Sequence, residues 1–378
     1  MDTVKQKKKR EPLIHITKRD GMPFPRALLV RVIAVLGALA LISVLTLLLT
    51  GENPIELFSA MFNGTFGTVD NLWVALRDTA ILLLISLAVT PAFKMRFWNI
   101  GAEGQVYAGA LGCAFVMIEC SGRGWPAPLL YATMLVAALL AGALWAFIPA
   151  LFKVWFGTNE TLFTLMMNYI ITNIITFCII FFGWENTYGS NKVGVINLLT
   201  GREGWLPNII NPYFLSILIA AIITVAMFIY LRYSKQGYEV AVVGESENTA
   251  RYVGIGVGRV ILRTMIISGA LCGLVGFLLV GGVNHSIDTV MVDSRGFTAI
   301  MVSWLAKFNP FVMIGTSFIL VFCDKGAGEI ATSLRLDPAF ADIMTAIIIL
   351  FIIGCEFFLN YRVHFRSAHK KEEEVTAA

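Results

Sequence analysis

Three polar side chains stand close together in a stretch of sequence that is otherwise apolar. Asn99, Glu103 and Gln105 lie within residues 96–112, which also contain four closely spaced glycines. A charged residue at the centre of a membrane helix costs about 2.5–3.5 kcal/mol, so Glu103 must be paired, protonated or in contact with water. Two interpretations are open: the glycines allow tight helix packing here, or the polar groups line a path for a solute.

A second polar pattern runs along residues 157–177. At about 100° per residue its members fall within an arc of about 120°, so one face of a membrane helix is polar along its length. Such a face suits hydrogen bonding between helices or contact with a solute. Its members are Thr161, Thr164, Asn168, Thr172 and Thr176.

The most polar internal stretch of the chain is the loop at residues 232–263. Within it, Ser246 is a favourable N-cap, Glu247 and Arg251 have the i, i+4 spacing of an ion pair, and Gly254 stands where a helix would end. These residues predict a helix of about seven residues, which is marginal alone in water. It therefore needs a docking surface, either the membrane bundle of this chain or a separate protein.

The composition excludes an ordinary water-soluble protein. Charged residues make up 14% of the 378 residues, against about 25% in a typical soluble domain, and hydrophobic residues make up 57%. A bilayer accommodates this surplus, because a helix of about 20 apolar residues spans it and satisfies its own backbone hydrogen bonds. Ten apolar stretches predict ten membrane segments, at residues 27–50, 73–93, 100–119, 128–150, 160–183, 212–231, 260–282, 297–306, 311–323 and 339–360.

Two of these segments are unusually short. Residues 297–306 and 311–323 cannot by themselves cross about 30 Å of hydrocarbon as straight helices, so they are short tilted spans completed by flanking residues or half-helices shielded by neighbours. In the segment before them, Gly269, Gly273 and Gly276 have the spacing of close helix packing.

The distribution of basic residues predicts the orientation. With ten crossings, most of the 29 Lys and Arg residues fall on the side of the two termini, which the positive-inside rule places in the cytoplasm. Arg77, Arg295 and Lys325 are among the few that fall on the outer side. The predicted fold class is an all-α integral membrane protein. Because the segments at 73–183 would start outside and those at 260–360 inside, two inverted four-helix halves are possible. Residues 1–26 then form a cytoplasmic arm, 27–360 a polytopic membrane domain and 361–378 a cytoplasmic tail.

Catalysis and metal binding by this chain are not expected. None of the six cysteines belongs to a Cys-x-x-Cys pair, the four histidines do not cluster with carboxylates, and no nucleophile stands beside a plausible base. A net charge of +4 is too small for a nucleic-acid binder of this size. Since the sequence has no Walker A motif, any ATP that drives this protein must be hydrolysed by another polypeptide.

Three stretches together resemble one known family. They are FWNIGAEGQ at residues 97–105, GTNETLFTLMMNYI at 157–170 and GYEVAVVGESENTARYVGI at 237–255. They are similar to motifs in the permease subunits of bacterial ABC importers for nucleosides and simple sugars, which are related to branched-chain amino acid permeases. The resemblance covers about residues 70–360. At Glu245, Ser246 and Trp304 the sequence departs from what is frequent in that family.

The resemblance implies two sets of functional residues and no catalytic ones. Residues 232–259 would couple the permease to its ATPase, with a coupling helix at 245–254. The expected coupling residues are Gly237, Gly244, Glu245, Asn248, Ala250, Arg251 and Gly254. The predicted translocation path, for which the physical argument above leaves helix packing as the alternative, includes Asn99, Glu103, Gln105, Thr164 and Asn168.

The resemblance also implies partners and a location. The chain would be a multi-pass protein of the bacterial cytoplasmic membrane that binds no cofactor itself. Two ABC ATP-binding subunits would use ATP, and a second permease subunit would complete a homodimer or heterodimer. A lipoprotein or periplasmic solute-binding protein would deliver the solute from outside, for which the loops at 184–211 and 283–296 are candidate docking sites.

A nucleoside is the expected solute, because FWNIGAEGQ looks closer to the nucleoside branch of the family than to the sugar branch. A flat polar solute favours amides, hydroxyls and aromatic faces, which Asn168, Trp98, Phe163 and Tyr169 offer. The same groups would pass a simple sugar, so a sugar permease is one alternative. The alternative from another class is a secondary transporter driven by an ion gradient. It would need an intramembrane ionisable network, whereas the apolar segments carry few charges.

Overall fold

The computed structural model describes residues 14–18, 24–51, 53–186, 193–199, 201–333, 335 and 337–365. Most of the predicted arm and tail therefore lies outside the described residues. The helices are α1 (Phe24–Thr50), α2 (Pro54–Phe66), α3 (Val69–Lys94), α4 (Ala102–Glu119), α5 (Ala127–Phe156), α6 (Glu160–Phe181), α7 (Phe214–Tyr233), α8 (Lys235–Glu245), α9 (Glu247–Tyr252), α10 (Val257–Leu278), α11 (Arg295–Leu305), α12 (Pro310–Ser333) and α13 (Pro338–Asn360). A π-helical turn, Leu279–Asn284, extends α10, and the strands are β1 (Ile14–Lys18) and β2 (Tyr361–Phe365).

Eight helices within the described ranges are long and apolar enough to cross a membrane. They are α1, α3, α5, α6, α7, α10 with its π-helical extension, α12 and α13. The chain is thus an all-α, multi-pass membrane protein, as predicted. Two further predicted segments correspond to α4 and α11, and the 11 residues of α11 reach only about 16 Å. The count of ten spans stays a prediction.

The segment predicted at 311–323 is completed by flanking residues, which is the first of its two alternatives. Helix α12 has 24 residues and continues to Ser333, long enough to span a bilayer. The apolar run ends where Asp324 and Lys325 follow it, but a charged side chain does not end a helix when it finds a partner. Lys325 has one in Asp78 of α3. Helices α2 and α8 are additional to the predicted segments.

The chain divides into two compact units, one formed by residues 1–64 with 326–378 and the other by residues 65–325. In the first unit α1 packs against α13, and Gly37 leaves room for the ring of Phe351. Strands β1 and β2 pair antiparallel. The start of α1 and the end of α13 therefore lie side by side, as expected for two termini on one side of a membrane. That this side is the cytoplasm stays a prediction.

The second unit is built around α10, which packs against α4 and α5 through glycines. A Cβ atom at Gly109 of α4 would overlap the backbone of Gly273, and one at Gly142 of α5 would overlap that of Gly269. The close packing predicted for the α10 glycines is confirmed, because only a residue without a side chain allows the helix backbones to approach this far.

Candidate solute path and coupling surface

Buried amides hold the connection between α3 and α4. Asn99 is fully buried, and its Oδ1 accepts hydrogen bonds from the backbone N–H of Gly101 at 3.1 Å and from Nε2 of Gln105 at 3.0 Å. Its Nδ2 lies 3.3 Å from Oε1 of Gln105 and 3.3 Å from the hydroxyl of Ser268 in α10. Both ends of the Asn99 amide are therefore satisfied inside the chain, as a buried polar group requires.

Helix α6 completes this network. Asn168 accepts a hydrogen bond from the N–H of Gly104 at 2.9 Å and donates one to the carbonyl of Ile100 at 3.0 Å. The N–H of Gly104 lies in the first turn of α4, where it has no intrahelical partner, so Asn168 caps α4 from a neighbouring helix. Thr164 accepts a hydrogen bond from the N–H of Ile100 at 3.2 Å. Both side chains fix the start of α4.

The other threonines of the polar stripe bond to their own helix. Thr172 donates to the carbonyl of Tyr169 at 2.9 Å, and Thr176 donates to the carbonyl of Thr172 at 3.1 Å. Of the two interpretations of this stripe, hydrogen bonding between helices accounts for its buried members, Thr164 and Asn168. Local bonding accounts for the hydroxyls of Thr172 and Thr176.

Glu103 differs from the other predicted path residues. Its side chain is half-buried, and its Oε2 has no hydrogen-bond partner among the residues that the structure describes. Gly296, in the first turn of α11, packs so closely on the backbone of Glu103 that a Cβ atom would overlap it. Glu103 therefore stands where α4 meets α11, with a carboxylate that the surrounding fold does not satisfy.

The five predicted path residues are thus brought together around the α3–α4 connection. Asn99, Gln105, Thr164 and Asn168 are buried and bonded within the unit, which excludes exposure of these side chains to lipid. Their bonds explain their presence through folding alone. That they lie on or beside a solute path stays a prediction.

The predicted short helix is present as α9, and its first turn is built as the sequence indicates. The hydroxyl of Ser246 accepts a hydrogen bond from the N–H of Thr249 at 3.2 Å. A nitrogen of the Arg251 guanidinium lies 3.7 Å from a carboxylate oxygen of Glu247. The cap satisfies an N–H that a helix start leaves free, and the ion pair adds a small stabilisation.

The last turn of α9 also follows the sequence. Gly254 has a φ angle of +83°. Its N–H bonds to the carbonyl of Arg251 at 3.1 Å, and the N–H of Ile255 bonds to the carbonyl of Ala250 at 2.9 Å. This pair of bonds is the Schellman motif, which ends helices at a residue in the left-handed region and therefore favours glycine.

Helices α8 and α9 are docked on the bundle of their own unit. Gly244 packs on the carbonyl of Lys94 at the end of α3, and Gly237 packs on the carbonyl of Tyr230 in α7, where a Cβ atom would overlap in each case. Apolar side chains continue this contact beneath the two helices. The buried cluster consists of Ala92, Met95, Phe97, Ala146, Ala150, Val240, Val243, Ala250, Val257, Val260, Ile261 and Met265.

The opposite face of α8 and α9, which we call the coupling surface, is exposed. Beside the predicted coupling residues, Tyr252 is 91% exposed and Val253 is 56% exposed. A large aromatic side chain this open on a structured surface is typical of a protein contact. Of the predicted coupling residues, the exposed ones are Glu245, Asn248, Arg251 and Gly254, and the buried ones are Gly237, Gly244 and Ala250.

Comparison with known proteins decides the family. The family described as "Branched-chain amino acid transport system / permease component" matches residues 71–353, more than half of the chain. The chain belongs to this permease family. The match includes all three motifs from which the resemblance was inferred.

Several relatives of this permease align over most of their length. It is 30% identical over 331 residues to the guanosine ABC transporter permease protein NupP of Bacillus subtilis, covering 86% of this chain and 92% of that protein. It is 28% identical to the glucose ABC transporter permease protein TsgB13 of Haloferax volcanii, covering 88% of each. It is 27% identical to the nucleoside ABC transporter permease protein NupB of Lactococcus lactis, covering 86% of this chain and 91% of that protein.

The permease also contains a buried ionic cluster that its sequence did not reveal. Asp78 of α3 is 1% exposed, and its carboxylate oxygens lie 2.8 Å from Arg77, 3.4 Å from Arg295 of α11 and 2.7 Å from Lys325 of α12. A buried charge is tolerated only when it is paired. Arg295 follows Asp78 by 217 positions, so no local sequence pattern predicts the contact.

The same cluster bears on the orientation of the permease. The charge distribution assigns Arg77, Arg295 and Lys325 to the outer side of the membrane, although they belong to three different segments. The structure brings all three to one carboxylate, which is consistent with a common side.

The two loops predicted to face outward, at residues 184–211 and 283–296, pack on each other. The N–H of Ile196 bonds to the carbonyl of His285 at 2.7 Å, and that of Leu206 bonds to the carbonyl of Gly281 at 2.8 Å. The rings of Trp205 and His285 stack with centroids 3.8 Å apart, and burial lowers the pKa of His285 below its ordinary value. The described parts of these loops thus form one packed surface, and its role in receiving a solute-binding protein stays a prediction.

Proposed function

We propose that this permease is the membrane subunit of an ATP-driven ABC importer in a bacterial cytoplasmic membrane, with nucleosides as its solutes. Two ATP-binding subunits would dock on the coupling surfaces of two permease subunits, and a solute-binding protein would deliver the nucleoside from outside. The observation that carries this proposal is the coupling surface itself. It is ordered by its own caps and anchored to the bundle, yet it leaves Tyr252 open to a partner.

The contacts beneath the coupling surface suggest how force would reach the membrane. Gly244 rests on the carbonyl of Lys94, at the point where α3 ends and the polar connection begins. Ala250 is fully buried in the apolar cluster that also includes residues of α3 and α10. Because packed interiors are stiff, a displacement of α9 by an ATPase would be transmitted to the end of α3 rather than absorbed.

For the solute path, we propose that Glu103 faces the solute and that the four buried residues shape the wall behind it. Cysteines placed at these positions test whether Glu103 faces the solute and the other residues lie behind it. A cysteine at Glu103 should react with a small aqueous thiol reagent faster than one at Asn99 or Gln105. Equal rates at all three positions would contradict the division.

The nucleoside assignment rests on the motif at residues 97–105 and on the relatives named for guanosine and nucleosides. A sugar permease is the second candidate, because the relative named for glucose aligns almost as well. Labelled guanosine and uridine should enter cells at a lower rate after deletion of this permease, while ribose and galactose uptake should be unchanged. The reverse pattern would contradict the nucleoside assignment.

A secondary transporter is the candidate from another class, and the ionic cluster around Asp78 is the feature that would favour it. In that cluster, however, Asp78 is paired with three cations, and a carboxylate held in three ion pairs is poorly suited to exchange protons. Reconstitution in liposomes separates the two classes. Import should require the ATP-binding subunits and ATP, whereas import driven by an ion gradient alone would contradict the proposal.

A further inference from the structure

The unit formed by residues 65–325 contains a cleft of about 400 Å³ beside the coupling surface. It opens where α3, α8 and α11 meet. Its volume lies within the range of small-molecule sites, about 300–1,000 Å³. Its lining is Phe93, Lys94, Arg96, Trp98, Ala241, Gly244, Glu245, Trp304 and Phe308.

Two tryptophans dominate this cleft. Trp98 and Trp304 stack with ring centroids 5.5 Å apart and an interplanar angle of 29°, and they remain 44% and 50% exposed. Phe93 packs edge-on against both, at 5.7 Å and 6.4 Å. Phe308 contacts Trp304 edge-on, with ring centroids 6.0 Å apart. The two indoles therefore remain about half exposed in the described part of the chain.

The backbone that carries these rings is held in an unusual way. α3 and α11 both end in a Schellman motif whose left-handed residue is basic, Arg96 with φ 60° and Lys307 with φ 50°. In each case the following phenylalanine bonds back into the helix, at 2.9 Å for Phe97 and 3.0 Å for Phe308. Glycine is the usual residue at such a position, and strained non-glycine residues cluster at functional sites.

The buried amide network adds to this rigidity. The hydroxyl of Thr164 lies 3.5 Å from the carbonyl of Trp98, and the N–H of Ile100 bonds to the same carbonyl at 3.1 Å. Asn99, the residue after Trp98, is fixed on both ends of its amide. The indole of Trp98 is thus presented by a preorganised segment, which lowers the cost of binding a ligand.

We propose that this aromatic cleft binds the flat heterocyclic base of a nucleoside during transport. The base would stack on the uncovered indole faces, and the edge groups of the cleft, Arg96 and Glu245, would offer a hydrogen-bond donor and acceptor to its polar rim. An acyl chain is disfavoured because Lys94, Arg96 and Glu245 line the same space. A sugar without a base would gain little from stacking. The inference rests on the proposed nucleoside function.

The test measures guanosine binding to the permease assembled with its ATP-binding subunits in lipid nanodiscs, without the solute-binding protein, which would itself bind the nucleoside. Because stacking on an aromatic side chain is worth about tenfold or more in affinity, Trp98→Leu and Trp304→Leu should each weaken guanosine binding by about that factor. Trp304→Phe keeps an aromatic face and should retain most of the affinity. Trp155→Leu is the control, since Trp155 is also exposed, at 68%, but lies outside the cleft.

Import assays with the same variants separate the two levels of the proposal. If guanosine binding and import are unchanged in both leucine variants, the cleft does not bind the base, but the nucleoside function still stands. If the unsubstituted transporter imports ribose but not guanosine, the proposed function itself falls, and the inference falls with it. If Trp304→Leu does not assemble, the comparison of Trp304→Phe with Trp98→Leu still shows whether guanosine binding requires an aromatic face in the cleft.

Discussion

Two of the ion-paired regions of this permease differ in how deeply their charges are buried. The carboxylate of Asp78 is 1% exposed and contacts three cations from three helices. On the coupling surface, Glu247 and Arg251 form a single pair that is 56% and 67% exposed. Burying the charges of the first region costs desolvation free energy, so the buried carboxylate must be paired. The second ion pair is solvated and contributes little to stability.

The difference separates residues that hold the fold from residues that are available to a partner. The buried amide network resembles the ionic cluster, because each polar group of Asn99 and Asn168 is bonded inside the chain. The coupling surface has the opposite design, with its apolar side anchored and its polar side open. The following predictions test this division, from the largest expected effect to the smallest.

Neutralising the buried carboxylate should have the largest effect. Asp78→Asn removes the carboxylate that three cations share, and breaking a buried ion pair in this way costs about 3–5 kcal/mol. The melting temperature of the purified permease should fall strongly. Asp70→Asn, an exposed position in the first turn of the same helix, is the control and should melt near the unsubstituted protein. Equal shifts in both variants would argue against the cluster as a structural element.

A proline within α9 should uncouple transport. Ala250→Pro removes the N–H that bonds to the carbonyl of Ser246 at 3.0 Å and places a ring in the helix interior, at a cost of about 3 kcal/mol or more. ATP-dependent import should fall at least about tenfold at an unchanged level of protein in the membrane.

The control for this prediction is a proline at the first position of the same helix. Glu247→Pro follows Ser246, whose φ of −161° and ψ of 119° are extended and suit a residue before proline. It should keep α9 and most of the import. Normal import by Ala250→Pro would show that α9 does not couple the two proteins.

Removing the cap of α4 should have an intermediate effect. Asn168→Leu leaves the N–H of Gly104 and the carbonyl of Ile100 without their buried partner, at about 1–3 kcal/mol for each group. The melting temperature should fall measurably. Asn173→Leu is the matched control on the same helix, because Asn173 is exposed and bonds only to the carbonyl of Tyr169 of its own helix among the described contacts. If the control lowered the melting temperature more than Asn168→Leu does, Asn168 would not be the structural cap of α4.

The exposed ion pair should matter least for stability. Arg251→Gln breaks a solvated i, i+4 contact worth about 0.3–0.5 kcal/mol, so the melting temperature should barely change. A charge at the rim of an interface acts mainly on the association rate and its salt dependence. Binding of the ATP-binding subunits should therefore weaken at low salt and depend less on salt. A strong loss of stability would place Arg251 with the buried residues instead.

Local features of this protein could be predicted from its sequence. Seven of the eight long helices follow from apolar length alone, because a bilayer requires backbone groups to be bonded within the helix, and the eighth is α12. The start and end of α9 follow from Ser246 and Gly254, since a cap and a left-handed residue act within four positions of themselves. The family also followed from three short motifs.

Contacts between distant segments were decided only by the tertiary structure. α12 continues through Asp324 and Lys325 because Asp78, far away in the sequence, accepts the lysine. Asn168 and Thr164 face inward because α4 begins beside them, and not because of their spacing alone. The pairing of Trp98 with Trp304 likewise required α3 and α11 to end side by side. A sequence pattern fixes which face of a helix is polar, but the neighbouring helix determines what that face contacts.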